Sequence, residues 1–270
     1  MTKYFTSVLL LLTLLTGCGN NQAEEPVIKE QPVIETEENN EKVKNDPIEK
    51  IESNEQDEQD NKGQPMYRIN TSNWKIESLV DKDEKIVLLT IDDAPDTYSV
   101  EMAETLKQLD VEAIFFVNGH FLNAEGKEKL IAIHEMGFEI GNHTMNHSNL
   151  KELSKEQQTR EIVELNDLIE TVIGERPRFF RAPFGVNTDH SKQIVKNEGM
   201  TLMNWTYGYD WEKDYRDSAA LADIMVSTPY LTDGANLLMH DREWTNRALE
   251  SIVKGLNEKG FTIARPSLIE

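Results

Sequence analysis

The chain has almost no cysteine. Cys18 is the only one among 270 residues, so no disulfide can form within the chain. Small secreted domains that lack disulfides bury too little apolar surface to be stable on their own. If the chain is exported, its folded part must therefore be stabilised by a sizeable hydrophobic core, and the length is sufficient for one large domain.

Long apolar runs are also absent. The most apolar run, residues 8–15, is shorter than the roughly 20 residues that a transmembrane helix needs. It follows Lys3 and precedes small residues, as in a secretion signal. The stretch that ends at Cys18 resembles a bacterial lipobox, in which cleavage before the cysteine is followed by lipidation of its sulfur. We predict that residues 1–18 are a lipoprotein signal peptide and that Cys18 anchors an extracytoplasmic protein to the cell membrane. A chance cysteine in an ordinary signal peptide is the alternative.

Basic residues are few. The chain has 28 Lys and Arg against 49 Asp and Glu, and its formal net charge is −21. Nucleic-acid phosphates are bound by basic patches, so we predict no nucleic-acid partner. Much of the acidity lies in residues 19–66, which contain 14 acidic and 5 basic residues. Such a segment cannot bury enough apolar surface to offset its chain entropy, and we predict a disordered acidic linker there.

A glycine-rich phosphate-binding loop is missing as well. Gly185 and Gly208 are isolated, and we therefore predict no nucleotide ligand.

Residues 67–270 alternate between short runs of β-branched or aromatic residues and longer segments with helical periodicity. Strands that alternate with helices pair in parallel through right-handed crossovers. We predict one α/β domain, a closed or nearly closed (β/α) barrel of about seven parallel strands, with an open doubly wound sheet as the alternative. The predicted strands are residues 85–91, 112–117, 139–142, 178–181, 201–206, 236–239 and 261–264. The predicted helices are residues 100–109, 125–136, 155–173, 191–198, 219–226 and 246–258.

Polar and aromatic residues follow five of these strands. In a parallel barrel the carboxyl ends of all strands open on one face, where active sites form. An Asp-Asp pair or a His-x-x-x-His spacing alone is more often a turn or a structural feature. Five such groups on one face are difficult to explain by packing. They are Asp92 and Asp93, His143 and His147, Arg181 and Phe184, Tyr209 with Asp210 and Trp211, and His240.

Two imidazoles and one carboxylate form the three-ligand set of hydrolytic metal sites, and we assign His143, His147 and Asp93 to it. Asp92 remains available as a general base, and His240 as an acid. We expect Arg181 to hold Asp92 and Asp210 to fix Arg181 through a bidentate ion pair. Flat apolar side chains suit stacking on sugar rings, and three are available, Phe184, Tyr209 and Trp211.

The amino-acid sequences of these segments are similar to five motifs of one enzyme family. Thr90 to Pro95 reads TIDDAP and resembles T-F-D-D-G-P, and the segment from His143 to His147 matches H-[ST]-x-x-H. The segment RAPFG, which begins at Arg181, matches R-x-P-[YF]-G. Asp210-Trp211 resembles the D-W of the fourth motif, and Leu238-Met239-His240 resembles the final L-x-H motif. The chain thus resembles polysaccharide deacetylases of the NodB-homology type, carbohydrate esterase family 4, over residues 85–265.

The resemblance implies a distorted (β/α) barrel with fewer than eight strands and a divalent metal, for which we expect Zn²⁺, with Co²⁺ or another divalent ion as alternatives. The implied activity is deacetylation of an acetylated glycan polymer, such as peptidoglycan or a chitin-like glycan that contains N-acetylglucosamine. The implied residues are the base Asp92, the metal ligands Asp93, His143 and His147, the acid His240, and the substrate or oxyanion residues Phe184 and Leu238.

Two positions depart from the family pattern. Ala94 replaces the usual glycine, so the loop must bend differently if this position requires a positive φ. The fourth motif is compact, because only four residues separate Trp205 from Asp210.

Three alternative functions remain at this point. The chain could be a carbohydrate-binding surface lipoprotein that has lost activity, with Ala94 as the only support. It could be an esterase that removes O-acetyl groups, as from xylan. Two histidines and one carboxylate also form non-haem iron sites for oxygen chemistry, although the α/β pattern and the additional base and acid argue against this.

Overall fold

The computed structural model describes residues 64–81 and 83–270. The predicted signal peptide, Cys18 and nearly all of the predicted linker lie outside the described residues. The strands are β1 (Tyr67–Ile69), β2 (Ile76–Ser78), β3 (Ile86–Ala94), β4 (Ile114–Val117), β5 (Glu139–Asn142), β6 (Phe179–Phe180), β7 (Thr201–Leu202), β8 (Ala235–His240) and β9 (Thr262–Ile263). The helices are α1 (Ser99–Gln108), α2 (Ala124–Glu135), α3 (Lys155–Ile173), α4 (Asp189–Asn197), α5 (Ser218–Ser227) and α6 (Glu243–Glu258).

Seven parallel strands form one curled sheet. Its order is β7-β6-β5-β4-β3-β8, and β9 pairs with the start of β3. The segment after β7 then reaches β8, because the Thr206 amide donates to the Asn236 carbonyl and the Leu238 amide donates to the Tyr207 carbonyl, each over 2.9 Å. The predicted distorted barrel of about seven parallel strands is confirmed.

The longest strand, β3, has apolar residues on both faces. Ile86 and Leu88 pack against residues of β4 and β6 in the barrel interior. Val87, Leu89 and Ile91 pack in a larger cluster with the surrounding helices. A strand covered on both faces reads as a continuous apolar run, as this one does. Further along the interior face come Thr90 and Asp92, so the inward side chains change from apolar to polar towards the carboxyl end.

The amino end of the barrel is covered by the antiparallel hairpin of β1 and β2, which lies outside the predicted strands. Its buried side chains Tyr67 and Ile76 join the interior cluster, and the Ile76 amide donates to the Gly234 carbonyl just before β8. The C-terminus lies beside this hairpin, since the Met66 amide donates to the Leu268 carbonyl and the Glu270 amide donates to the Tyr67 carbonyl. The hairpin and the C-terminus thus close the end of the barrel away from the polar residues.

The element boundaries differ most from the prediction around the carboxyl ends of the strands. β3 continues to Ala94 and includes both aspartates, whereas β6 and β7 have two residues each. β7 is short because the chain leaves β6 after Met203 and crosses to β8. α6 begins at Glu243, three residues before the predicted start.

No helix within the described ranges is long and apolar enough to cross a membrane.

Ile76→Ala is expected to destabilise the protein by about 2–5 kcal/mol, because it leaves a cavity in the interior cluster beneath the hairpin. Leu79→Ala, in the same segment at a residue that is 42% exposed, should change the free energy of unfolding by about 0.5 kcal/mol or less. Urea unfolding of the two variants measures the difference. Equal effects would contradict the role assigned to the hairpin.

Candidate active site

Three predicted metal ligands meet at the carboxyl end of the barrel. Asp93 lies near the end of β3, and His143 and His147 lie in the loop that follows β5. One donor atom from each side chain lies within 4.8 Å of the other two. Asp93 and His147 adopt positive φ angles of 61° and 54°. Such conformations are unfavourable for side chains with a Cβ and persist where the surrounding structure enforces them.

The histidine rings have the donor atoms that a metal requires. Nδ1 of His143 lies 2.7 Å from the Arg181 carbonyl, so this nitrogen carries the proton and donates it, leaving Nε2 free as a ligand. Burial and the neighbouring His143 lower the pKa of His147, which favours the neutral imidazole that binds metals. Nε2 of His147 lies 3.5 Å from Oδ1 of Asp93. The donor set therefore fits a divalent ion such as Zn²⁺.

Asp92 is held by a buried arginine, as predicted. Nη1 of Arg181 donates to Oδ1 of Asp92 over 2.6 Å and to the Thr90 hydroxyl over 2.8 Å. Arg181 is fully buried and its guanidinium lies 4.3 Å from the centre of the Phe116 ring. The other carboxylate oxygen of Asp92 lies 3.5 Å from Nε2 of His143, so it faces the candidate metal site.

The predicted ion pair between Asp210 and Arg181 is wrong. Asp210 instead accepts two hydrogen bonds from His240, one from Nδ1 over 2.7 Å and one from the backbone amide over 2.6 Å. The Thr245 hydroxyl also donates to this carboxylate. Asp210 therefore fixes the orientation of the candidate acid, and the Nε2 atom of His240 is left for the cavity.

The surroundings of His240 favour its protonated form. Burial alone would lower the pKa of His240, but the hydrogen bond and charge of Asp210, together with the charges of Asp92 and Asp93, raise it above its ordinary value. An imidazole with a raised pKa remains a proton donor at higher pH, as a general acid requires.

A cavity of about 450 Å³ opens over these groups, between aromatic walls. The Phe184 ring lies 4.9 Å from the His147 ring, and the Trp211 ring lies 5.6 Å from the His240 ring. Leu238 also lines the cavity, as expected from the motif. Tyr209 does not: its ring packs against Tyr207 and Tyr215, and its hydroxyl bonds to Thr228. The prediction that Tyr209 faces the substrate is therefore wrong.

Two cavity residues were missed by the sequence analysis, Trp205 and Arg242. Nη2 of Arg242 donates to Oδ2 of Asp93 over 2.8 Å. Burial would raise the pKa of Asp93, but the three site histidines and Arg242 lower it, so the carboxylate is ionised. The position of Arg242 two residues after His240 was the available signal. Trp205 gave the corresponding signal, an aromatic residue at the carboxyl end of a predicted strand.

Ala94 does not need the backbone freedom of glycine. The positive φ in this segment falls on Asp93, and Ala94 is the fully buried last residue of β3. The replacement of glycine at this position therefore leaves the geometry of the site intact.

Comparison with known proteins agrees with this geometry. Residues 79–203 match the family model described as polysaccharide deacetylase. A peptidoglycan-N-acetylglucosamine deacetylase of Bacillus cereus is 31% identical in an alignment of 198 residues that covers 67% of this chain and 86% of that protein. The chain belongs to the polysaccharide deacetylase family. The family match, together with relatives named as peptidoglycan and chitooligosaccharide deacetylases, confirms the enzyme class predicted from the sequence, a hydrolase of carbon–nitrogen bonds other than peptide bonds.

Other relatives in the polysaccharide deacetylase family differ in length and in activity. The chain is 30% identical to the peptidoglycan-N-acetylmuramic acid deacetylase PdaC of Bacillus subtilis over 72% of its own length, but it spans only 40% of that protein. A solved structure of a carbohydrate esterase family 4 pseudoenzyme from Bacillus anthracis has 28% identity and a TM-score of 0.62, covering 68% of this chain and 65% of that one. A mutant of that pseudoenzyme has restored enzymatic activity.

Asp210→Asn is expected to lower the pKa of His240, because it removes the negative charge that stabilises the imidazolium. NMR titration of the His240 ring in metal-free protein measures the change. Thr245→Val serves as the control, since it removes one hydrogen bond to Asp210 but keeps the carboxylate. If the pKa of His240 is the same in Asp210→Asn and in the unmodified protein, Asp210 does not tune it.

Proposed function

We propose that this chain is a metal-dependent enzyme that removes acetyl groups from the nitrogen of N-acetylated glycans, with peptidoglycan or a chitin-like polymer containing N-acetylglucosamine as substrate. One observation carries the proposal. A single cavity contains a three-ligand metal set, a carboxylate bound by Arg181 and an imidazole bound by Asp210. The relatives named as peptidoglycan and chitooligosaccharide deacetylases support the choice of substrate.

Asp93, His143 and His147 would hold the metal, which when bound polarises the acetyl carbonyl and lowers the pKa of a water molecule. Asp92 takes a proton from the attacking water, because Arg181 occupies one of its oxygens and leaves the other facing the site. Nε2 of His240 gives a proton to the departing sugar nitrogen, while Asp210 stabilises the charged form of the ring before transfer. Separate residues thus accept and deliver the two protons of amide hydrolysis.

The cavity walls would position the sugar and its acetyl group. The exposed ring of Phe184, on the His147 side, and that of Trp211, on the His240 side, offer flat faces for sugar rings. Leu238 supplies an apolar contact for the acetyl methyl group. The backbone amide of Phe184 is our candidate for stabilising the oxyanion, and a preorganised donor of this kind accelerates acyl-transfer chemistry.

Zn²⁺ is the metal we propose, since two imidazole nitrogens and one carboxylate oxygen are typical of catalytic zinc sites that keep a position open for water. Co²⁺ and other divalent ions bind the same donor types. The non-haem iron hypothesis has no support beyond this shared ligand set, because the chain belongs to a hydrolase family and its cavity contains an additional base and acid.

The Bacillus anthracis pseudoenzyme shows that family membership alone does not establish activity. In this chain the proposed base, acid and three ligands all face one cavity. Ala94, the only sequence feature in favour of a purely binding role, is accommodated without a positive φ. Catalysis is therefore the function that the site supports best.

For the whole protein, we propose three parts: a lipoprotein signal peptide over residues 1–18, an acidic linker over residues 19–66 and a catalytic domain over residues 67–270. The lipobox-like sequence before Cys18 supports membrane attachment outside the cytoplasm, and the acidic composition of residues 19–66 supports an extended spacer. A tethered deacetylase of this kind acts on a polymer close to the membrane.

Asp92→Asn is expected to reduce acetate release from N-acetylglucosamine oligomers and from peptidoglycan by about 10²–10⁴-fold, because it removes the base but keeps a side chain of the same shape. Asp223→Asn, at an exposed aspartate of α5, should leave the rate unchanged. Acetate is measured with and without a chelator, and zinc content is determined for each variant. The proposal fails if zinc-loaded protein releases no acetate from either substrate or if release survives metal removal.

Cys18→Ser is expected to move the protein from the membrane fraction to the soluble extracytoplasmic fraction of a bacterial host that processes lipoproteins. Incorporation of labelled palmitate into the unmodified full-length chain, and none into the variant, is the second measurement. Equal membrane association of both proteins, with no label in either, would exclude the lipid anchor.

A further inference from the structure

A carboxylate with no assigned role is buried beside the candidate metal site. Glu161 of α3 is 7% exposed, and no basic side chain within the described ranges forms an ion pair with it. Glutamate is rarely buried unless its charge is compensated, because the loss of hydration is unfavourable. Compensation must therefore come from hydrogen-bond donors.

Those donors belong to the loop between the two histidine ligands. The backbone amide of Asn146 donates to one carboxylate oxygen of Glu161 over 2.7 Å, and the Asn146 side-chain amide donates to the other oxygen over 2.7 Å. The Met145 amide donates to the backbone carbonyl of Glu161 over 2.9 Å. One residue of α3 thus accepts three hydrogen bonds from the two residues that precede His147.

This loop needs such support because its backbone is strained. Thr144 and His147 both adopt positive φ angles, 71° and 54°. The loop is also attached on its other side, where the amides of Gly119 and His120 donate to the carbonyls of Thr144 and Met145. Those contacts hold the first part of the loop, whereas Glu161 is bound directly before His147. Glu161 thus binds the part of the loop that leads into His147.

We propose that Glu161 is a positioning residue for the metal site. Its carboxylate holds Asn146 so that Nε2 of His147 stays within reach of the donor atoms of Asp93 and His143. This inference rests on the proposed function, since it assumes that the three residues bind a metal. It extends that function by assigning to α3 a part in metal affinity, although no atom of Glu161 is a ligand.

Zn²⁺ affinity of the purified full-length protein tests the proposal, measured by competition with a chromogenic chelator. Glu161→Ala should raise the dissociation constant for Zn²⁺ by about 10–100-fold, as loss of groups that orient metal ligands typically does. Asn146→Ala should give a smaller increase, because the backbone amide still reaches Glu161. Glu161→Gln should bind Zn²⁺ about as tightly as the unmodified protein. The glutamine side-chain carbonyl can accept from the backbone amide of Asn146, and its NH₂ group can pair with the side-chain amide of Asn146.

Glu164→Ala, one turn along α3 at an exposed position, is the matched control and should leave the affinity unchanged. Thermal unfolding of each metal-free variant identifies those that fold, and kcat at saturating Zn²⁺ should recover in Glu161→Ala because the proposed base and acid remain. If Glu161 only stabilised the fold, Glu161→Ala would lower the unfolding temperature without changing the affinity of the folded protein for Zn²⁺.

The proposal is overturned if folded Glu161→Ala binds Zn²⁺ as tightly as the unmodified protein, or if Glu161→Gln loses as much affinity as Glu161→Ala. If Glu161→Ala does not fold, Asn146→Ala decides the question, and an unchanged dissociation constant in that variant overturns the proposal. If the unmodified protein binds neither Zn²⁺ nor Co²⁺, the proposed function is refuted and this inference with it.

Discussion

The buried ion pair of Arg181 and Asp92 is the interaction on which the rest of the site depends. A guanidinium in a barrel interior is unfavourable unless its hydrogen bonds and charge are compensated. Here the compensation comes from Asp92, the Thr90 hydroxyl, the Asn204 carbonyl and the face of the Phe116 ring. The Arg181 carbonyl in turn accepts from His143. One residue thereby connects the interior of the barrel to the proposed base and to a candidate metal ligand.

The site contains two charged pairs with opposite tasks. In the first, the cation Arg181 binds Asp92 and leaves one carboxylate oxygen facing the cavity. In the second, the anion Asp210 binds His240 and favours the protonated ring. Asp92 and His240 each have a partner of opposite charge. A proton acceptor and a proton donor can therefore be present in one cavity at the same pH. The two partners are buried and do not line the cavity.

The sequence predicted those features that follow from strand ends. Asp92, Asp93 and His143 end or directly follow strand runs, and His147 lies four residues beyond His143. Parallel topology then brings them to one face. Asp210 and Tyr209 were assigned wrong contacts because the chain after β7 leaves the regular sheet, so side-chain alternation no longer predicts which way each residue points. The missed cavity residue Trp205 lies on that same irregular segment. The hairpin of β1 and β2 is absent from the predicted strands because strands of three residues give almost no periodic signal.

Backbone strain and ligand placement coincide in this protein. Asp93, His147 and Phe184 all have positive φ angles, and all three line the cavity. Their conformations are imposed by contacts that span several elements, which no local pattern in the sequence can predict. A match of short motifs therefore points to the candidate ligands, whereas contacts from other elements, such as those of Glu161 and Arg242, are not visible in the motifs.

The closed amino end of the barrel has a geometric consequence. Residue 66, where the chain enters the domain, is hydrogen-bonded to Leu268 beside the hairpin, at the opposite end of the strands from the cavity. A pull on the chain at this point acts on the floor of the barrel and not on its mouth. If the chain is tethered as proposed, attachment at this end would leave the cavity at the carboxyl ends of the strands free to reach a polymer.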